Sequence, residues 1–168
     1  MEGKTIAHSR AVMSQIMLPS QANPSGNVHG GEVMKMMDNT AYVVAVRHAH
    51  TNIVTARVDE LEFHTPVFVG ALVTCRAELV YVGRSSMEVF VTVEAEYLKH
   101  EEPPQMALTA YFTMVALDDD GVPCPVPPLL LTTPEEEERY RRGKLRYDRH
   151  KSERKTGRER EKERKGES

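Results

Sequence analysis

A helical run at residues 30–48 stands ahead of four strand-length runs of period two, and this order narrows the folds open to the chain more than any other feature. Within the run, Val33, Met36, Met37, Thr40, Ala41 and Val44 recur at the spacing of one helical face. Its later half, Ala41 to Val46, is apolar almost all round, which predicts a helix surrounded by protein rather than lying on a surface. The period then changes to two. Strands are predicted over 52–63, with a switch or bulge near the middle, and over 71–82, 87–96 and 106–117. The clearest puts Met87, Val89, Val91, Val93 and Ala95 on one face, against Glu88, Phe90, Thr92, Glu94 and Glu96 on the other. A first strand is expected over 8–18, before Pro19 and a polar loop. One strand, a long buried helix and four consecutive strands make an α+β domain, in which a meandering sheet curls around the helix.

The helix carries one feature that packing does not explain. A turn-rich loop, Asn23-Pro24-Ser25-Gly26-Asn27, runs into the pair Gly30-Gly31, and Asp38 then interrupts the apolar pattern just over two turns in. A glycine-opened helix start offers unpaired N–H groups at the positive end of the helix dipole. A carboxylate in such a helix is costly unless it is paired or used. Together the two could polarise a carbonyl and handle a water.

The bulk numbers set limits. A chain of 168 residues, 40% hydrophobic, suits one domain of ordinary size with its own core. A net charge of −3 gives no global case for nucleic acid as a partner. Cys75 and Cys124 cannot build a disulfide framework and suit a reduced cytoplasm, and without Cys-x-x-Cys or His-x-x-x-His a metal site has little support. The N-terminus lacks the apolar core of a signal peptide, and no apolar run is long enough to span a bilayer, so a cytoplasmic protein without a membrane partner is expected. Thr133-Pro134-Glu135 is a helix start, and the segment to Arg149 is acidic first and basic later, matching the helix dipole. Residues 151–168 contain only Lys, Arg, Glu, Ser, Thr and Gly, and are either disordered or an exposed charged helix. The expected division is a domain over 1–132 and a C-terminal helix with a charged tail over 133–168.

Three segments in order carry a resemblance: Asn23 through Asp38, with its Asn-x-x-Gly-Asn-x-x-Gly-Gly run; Val58-Asp59-Glu60-Leu61-Glu62-Phe63-His64-Thr65-Pro66-Val67; and Gly83-Arg84-Ser85-Ser86. Jointly they resemble the hotdog-fold acyl-CoA thioesterases, closest to the cytosolic acyl-CoA hydrolase group of the YciA and brain acyl-CoA hydrolase type, over about residues 10–118. The resemblance implies a curved antiparallel sheet wrapped round a central helix. It implies homodimers joined edge to edge, commonly assembled as trimers of dimers, with active sites at the dimer interface. Acyl-CoA would be the substrate, coenzyme A part of substrate and product, and no separate cofactor would be needed. Asp38 matches the family's catalytic acid and Asn23 its loop asparagine, and Asn23 of one chain can serve Asp38 of another. Arg84, Ser85 and Ser86 match positions near bound coenzyme A.

For a thioester, an N–H of Gly30 or Gly31 would hold the carbonyl oxygen. Asp38 would act as general base on water or attack directly to form a mixed anhydride. Asn23 would orient water or thioester, although a turn residue before Pro24 is an equal reading. Arg84, with Ser85 and Ser86, suits the phosphates of coenzyme A, against the alternative of a polar hairpin turn. Arg57 is a second candidate, with a surface ion pair as the plainer role. His29 and His64 read as loop residues, and the methionines as core or acyl-pocket lining. Two other functions compete. The hotdog enoyl-CoA hydratases carry Gly-Asp-x-Asn-Pro-x-His, but here Gln21 replaces the acid and the histidine is displaced. An acyl-CoA-binding regulator on the same fold would usually add a DNA-binding segment, and no helix-turn-helix is visible.

Overall fold

A computed structural model describes residues 1–166, with side-chain surroundings for residues 1–156. In chain order the elements are β1 (Lys4–Thr5), α1 (Ile6–Ser9), β2 (Ala11–Ile16), a short 3-10 turn (Pro19–Gln21), α2 (Gly30–Ala49), β3 (Asn52–Phe63), β4 (Leu72–Val82), β5 (Ser86–Glu96), β6 (Gln105–Leu117), β7 (Leu129–Leu130) and α3 (Pro134–Gly166). They fall into two compact units, Met1–Leu131 and Thr132–Ser168.

In the first unit, β2 to β6 form one antiparallel sheet in the order β2-β4-β5-β6-β3, with α2 against one face. The helix buries Val33, Met36, Met37, Thr40, Ala41, Val44, Ala45 and His48, which include all six positions of the predicted face. Alternate residues of the sheet meet them, among them Val73, Cys75, Leu79, Val89, Val91, Phe112 and Met114, each at most 2% exposed. Truncating one such side chain, Met37→Ala for instance, costs about 2–5 kcal/mol. Thr40 is tolerated there because its hydroxyl donates to the Met36 carbonyl at 2.7 Å. The helix is not enclosed on every side within one chain: Tyr42 is 46% exposed.

The expected strand over 8–18 is shorter. Residues 6–9 form a helical turn instead, and after Ile16 the chain bends so that Met17 enters the core, tied by Met17 N–H to the Ala71 carbonyl (2.9 Å) and Gly70 N–H to the Met17 carbonyl (2.8 Å). The bulge expected in β3 is present, as two register shifts against β6, between Thr55 and Arg57 and between Asp59 and Glu62. Glu60 has φ 49° within the second, a left-handed conformation that is uncommon for a residue with a side chain. This extra residue returns Phe63 to the face it shares with Leu108, since a one-residue slip turns every following side chain to the opposite face. The strand is also an edge: β3 is twelve residues long and pairs on one side with β6, and Val54 and Val58 on it are exposed.

At its far end α2 stops on His50, whose φ of 53° and N–H bond to the Val46 carbonyl form a left-handed cap. Two short segments close over this end, β1 and β7, paired in parallel. Lys4 Nζ donates to the His48 carbonyl at 2.6 Å, and the fully buried His48 ring donates from Nε2 to the Pro127 carbonyl at 2.7 Å. Burial pushes the His48 pKa down, against the bond to Pro127, which raises it.

The second unit is α3. Thr133 Oγ1 accepts from Glu136 N–H at 3.2 Å, and the Glu136 carboxylate accepts from Thr132 N–H and hydroxyl at 2.6 and 2.9 Å, so the cap read from the sequence forms. Glu135, Glu136 and Glu137 occupy the first turn. Arg141 and then Arg142 hold the exposed Glu138 carboxyl down at about 2 through hydrogen bonds. Of the two readings of residues 151–168, helix is the one found as far as Gly166; the last two residues lie outside those described. No helix of the described residues is long and apolar enough to cross a membrane.

Candidate active site

The loop before α2 folds on its own polar groups. Asn23 Oδ1 accepts from Ser25 and Asn27 N–H at 3.0 and 3.2 Å, and Asn23 N–H donates to the Asn27 carbonyl at 2.7 Å. Asn23 is therefore a turn former. Its oxygen is used by the turn, which leaves its amide N–H₂ without a partner among the described residues. Val28 N–H donates to the Val67 carbonyl and His29 N–H to the Gln21 carbonyl, both at 2.8 Å, which anchors the loop beside the end of β3.

His29 is the N-cap of α2. Its Nδ1 accepts from Gly31 N–H at 3.1 Å. Of the two glycine N–H groups expected to hold a carbonyl oxygen, that of Gly31 is thus engaged, whereas that of Gly30 has no partner among the described residues. A Cβ on Gly30 would lie 3.2 Å from Cε1 of Phe63, so a larger residue there would push the ring by a few tenths of an ångström. Asn23, Gly30, Phe63, Thr65 and Leu108 line a cavity of about 230 Å³, with Val28, Val33, Pro66 and Val67 among its other walls.

Asp38 is not one of those walls. It stands eight residues beyond Gly30, about 12 Å of helix rise, half-buried, with the Thr55 hydroxyl donating to its Oδ1 at 2.6 Å. The helix start and the carboxylate of one chain are therefore apart by that length of helix. The structure brings Asn23 and Gly30 together at one place and Asp38 and Thr55 together at another.

Arg84 and Ser85 lie in the turn between β4 and β5, and Ser86 opens β5. The turn is held through its backbone: Gly83 N–H donates to the Ser86 carbonyl, Ala116 N–H to the Ser85 carbonyl and Val126 N–H to the Arg84 carbonyl, at 2.8–2.9 Å. The Arg84 side chain is left exposed. Ser86 pairs with Val115 of β6, which pairs with Val54, the neighbour of Thr55. The turn therefore sits at the Asp38–Thr55 end of the sheet, two strand spacings or roughly 10 Å from β3. Arg57 makes the plainer contact, an ion pair from Nε to Asp59 Oδ1 at 2.7 Å. His64 Nε2 contacts Thr109 Oγ1 at 3.0 Å. No group of three or more His, Cys, Asp and Glu among the described residues is arranged to hold a metal.

Sequence reasoning missed Thr55, a β-branched residue in a strand where such residues are ordinary. It also missed the cap made by His29, for which a signal existed: a side chain with a lone pair immediately before the first helical residue.

Comparison with known proteins places the chain among relatives. The profile of the Thioesterase superfamily matches residues 25–99. The rat cytosolic acyl coenzyme A thioester hydrolase is 38% identical over 147 residues, 87% of this chain and 39% of that one, so the chain spans about two fifths of that relative's length. A Zymomonas mobilis protein named as an uncharacterized acyl-CoA thioester hydrolase is 41% identical over 68% of this chain and 76% of its own. Among solved structures, a hexameric acyl-CoA thioesterase superposes with a TM-score of 0.84 at 30% identity over 91% of this chain and 97% of that one. The acyl-CoA hydrolase of Staphylococcus aureus, in complex with butyryl coenzyme A and coenzyme A, gives 0.81 at 29% over 95% and 94%. Three variants of the S. aureus protein replace an asparagine, an aspartate and a threonine by alanine. Those positions are spaced 15 and 17 residues apart, as Asn23, Asp38 and Thr55 are here.

Proposed function

The chain belongs to the thioesterase superfamily, and from that premise we propose that it hydrolyses acyl-CoA thioesters to a free carboxylate and coenzyme A, at a site shared by two copies. The observation that carries this reading is the Thr55–Asp38 hydrogen bond of 2.6 Å, on residues with the spacing of those replaced in the S. aureus hydrolase. Its separation from Gly30 supports the two-copy arrangement, in which Asn23 and Gly30 of one chain face Asp38 of another. The open edge of β3 is the natural seam for a homodimer, and the hexameric relative supports further assembly into a trimer of dimers.

Gly30 N–H, backed by the helix dipole, holds the carbonyl oxygen and the charge that develops on it. Gly31 contributes through the cap that keeps the helix start in place. Thr55 fixes one carboxylate oxygen of Asp38, leaving the other to take a proton from water, which attacks the carbonyl carbon. The tetrahedral intermediate then collapses, the C–S bond breaks, and the proton on Asp38 goes to the departing thiolate. The Asn23 amide donates to the water or the thioester oxygen. Arg84, with Ser85 and Ser86, receives phosphate oxygens of coenzyme A, with Arg57 a weaker contributor because Asp59 already holds it. No cofactor is required, and a cytoplasmic location agrees with the cytosolic relatives.

The test is free-thiol release from acyl-CoAs of graded chain length. Wild type releases coenzyme A, and folded Asp38→Asn loses about 100-fold or more in kcat. A wild type that binds acyl-CoA but releases no thiol would overturn the hydrolase reading.

A further inference from the structure

Residues 123–128, Pro-Cys-Pro-Val-Pro-Pro, run from the turn after β6 to β7, and their prolines leave Cys124 and Val126 as the only N–H donors of the segment. Both donors are engaged at one place. Cys124 N–H donates to the Ala116 carbonyl at 3.0 Å, and Ala116 N–H in turn holds the Ser85 carbonyl at 2.8 Å. Val126 N–H donates to the Arg84 carbonyl at 2.9 Å. The segment is thus a strap laid against the Arg84 turn. One residue further on, the carbonyl of the buried Pro127 accepts from His48 Nε2 at 2.7 Å, and that of Pro128 accepts from Lys4 N–H at 3.0 Å. Proline fixes its own φ and keeps the residue before it extended. The strap is therefore stiff, and a displacement at Pro127 is passed on to Val126. His48 is a costly anchor for it: the ring is fully buried and its Nδ1 has no hydrogen-bond partner. An apolar side chain of similar size would fill the space without stranding a ring nitrogen. What the imidazole adds is a donor for Pro127.

We propose that His48 is a positioning residue: through Pro127 it fixes the proline strap, and the strap fixes the Arg84 turn where that turn meets the phosphates of coenzyme A. This rests on the hydrolase reading and extends its coenzyme A site to residues that touch no substrate. Every link, from His48 to Pro127, Val126 and Arg84, lies within one protomer, so it does not depend on how copies assemble. With the strap released, the turn must be ordered again each time coenzyme A binds, which weakens binding. The phosphates lie away from the reacting carbonyl, so ground state and transition state lose alike, and KM rises with kcat kept.

The experiment compares butyryl and octanoyl thioesters of coenzyme A with those of pantetheine, which lacks the nucleotide, in wild type, His48→Met, His48→Gln and Val126→Pro. His48→Met fills the space without a donor, and His48→Gln keeps an N–H donor. Val126→Pro removes the N–H that reaches Arg84 and leaves His48 in place. His48→Met and Val126→Pro raise KM for the coenzyme A thioesters about fivefold, with kcat kept within about twofold. For the pantetheine thioesters, kcat/KM in the same variants stays within about twofold of wild type. His48→Gln restores most of the KM. Arg84→Ala raises KM for the coenzyme A thioesters about tenfold, and adding His48→Met to it raises KM by less than about twofold more. An unchanged KM in folded His48→Met and Val126→Pro, or an equal loss with coenzyme A and pantetheine thioesters, overturns the inference. If wild type hydrolyses none of the thioesters, the hydrolase reading fails and the Kd of coenzyme A, measured by calorimetry, decides the positioning role. A Kd about fivefold weaker in His48→Met and recovered in His48→Gln upholds it, and equal values overturn it.

Discussion

The two ends of α2 are built on opposite plans. At its C-terminal end the chain closes over the helix: His50 caps it, Lys4 takes a free carbonyl, and the buried His48 ring donates from Nε2 to Pro127, with its Nδ1 buried and without a hydrogen-bond partner. At its N-terminal end polar groups are left unspent. Gly30 N–H and the Asn23 amide have no partners among the described residues, and they border an open cavity walled by an exposed Phe63. Both ends belong to one helix over one core, so packing alone does not account for the difference. Unpaired polar groups are tolerated where water or a substrate can reach them, and the closed end supplies the stability that the open end forgoes.

Substitutions near the open end and at Asp38 should therefore cost rate, and those at the closed end stability. The largest effect is expected at Asp38→Asn: a loss of about 100-fold or more in kcat with the melting temperature almost unchanged, by paired thiol-release and thermal-unfolding assays. Thr55→Val removes one hydrogen bond to a carboxylate and should cost about tenfold in kcat with little change in KM.

His48 carries the opposite signature. Its pKa is lowered in the folded state by burial, so the neutral ring contributes stability that is fully present above about pH 6.5, the ordinary imidazole value. That stability is lost as pH falls below 6.5 and through the folded value, because the unfolded chain then binds a proton that the folded one resists. The wild-type melting temperature should fall over this range, and the fall should be shallower in His48→Gln, which also starts less stable at pH 8 by about 1–3 kcal/mol. Lys4, His8 and His50 lie near enough to disfavour the charged ring further. The smallest effect is at the cap: His29→Ala should cost about 1 kcal/mol of stability, and His29→Asn, whose oxygen can accept the same N–H, should recover most of it. If His29→Ala also lowers kcat while His29→Asn restores it, the cap holds the site as well as the helix.

What sequence made legible divides along the same line. The helix face from Val33 to Val44 and the alternation from Met87 to Ala95 are set by solvent, and a period of 3.6 or 2 reports them directly. Asp38 stood out because a carboxylate breaks such a period. Thr55 did not, since its β-branched side chain fits a strand whatever it bonds to. The broken alternation of β3 announced a bulge, but its placement at Glu60, and with it the direction of Phe63, depends on how β3 registers against β6, which local pattern does not encode. The short pairing of β1 with β7 joins residues more than 120 apart, and two-residue strands carry no period at all. The separation of Gly30 from Asp38 was arithmetic available from helix rise, and it underlies the proposal that the site is divided into two halves.

The central claim is that these halves are joined between copies, and subunit mixing tests it most directly. Asn23→Ala and Asp38→Asn chains, each made alone, should release little thiol. Co-expressed in equal amounts, half of the dimers are mixed, and each mixed dimer holds one intact site and one doubly altered site. Thiol release should then return to about a quarter of the wild-type rate. Mixed dimers, verified by two different tags, that stay at the level of the single variants would contradict the account and place both residues in a site formed by one chain.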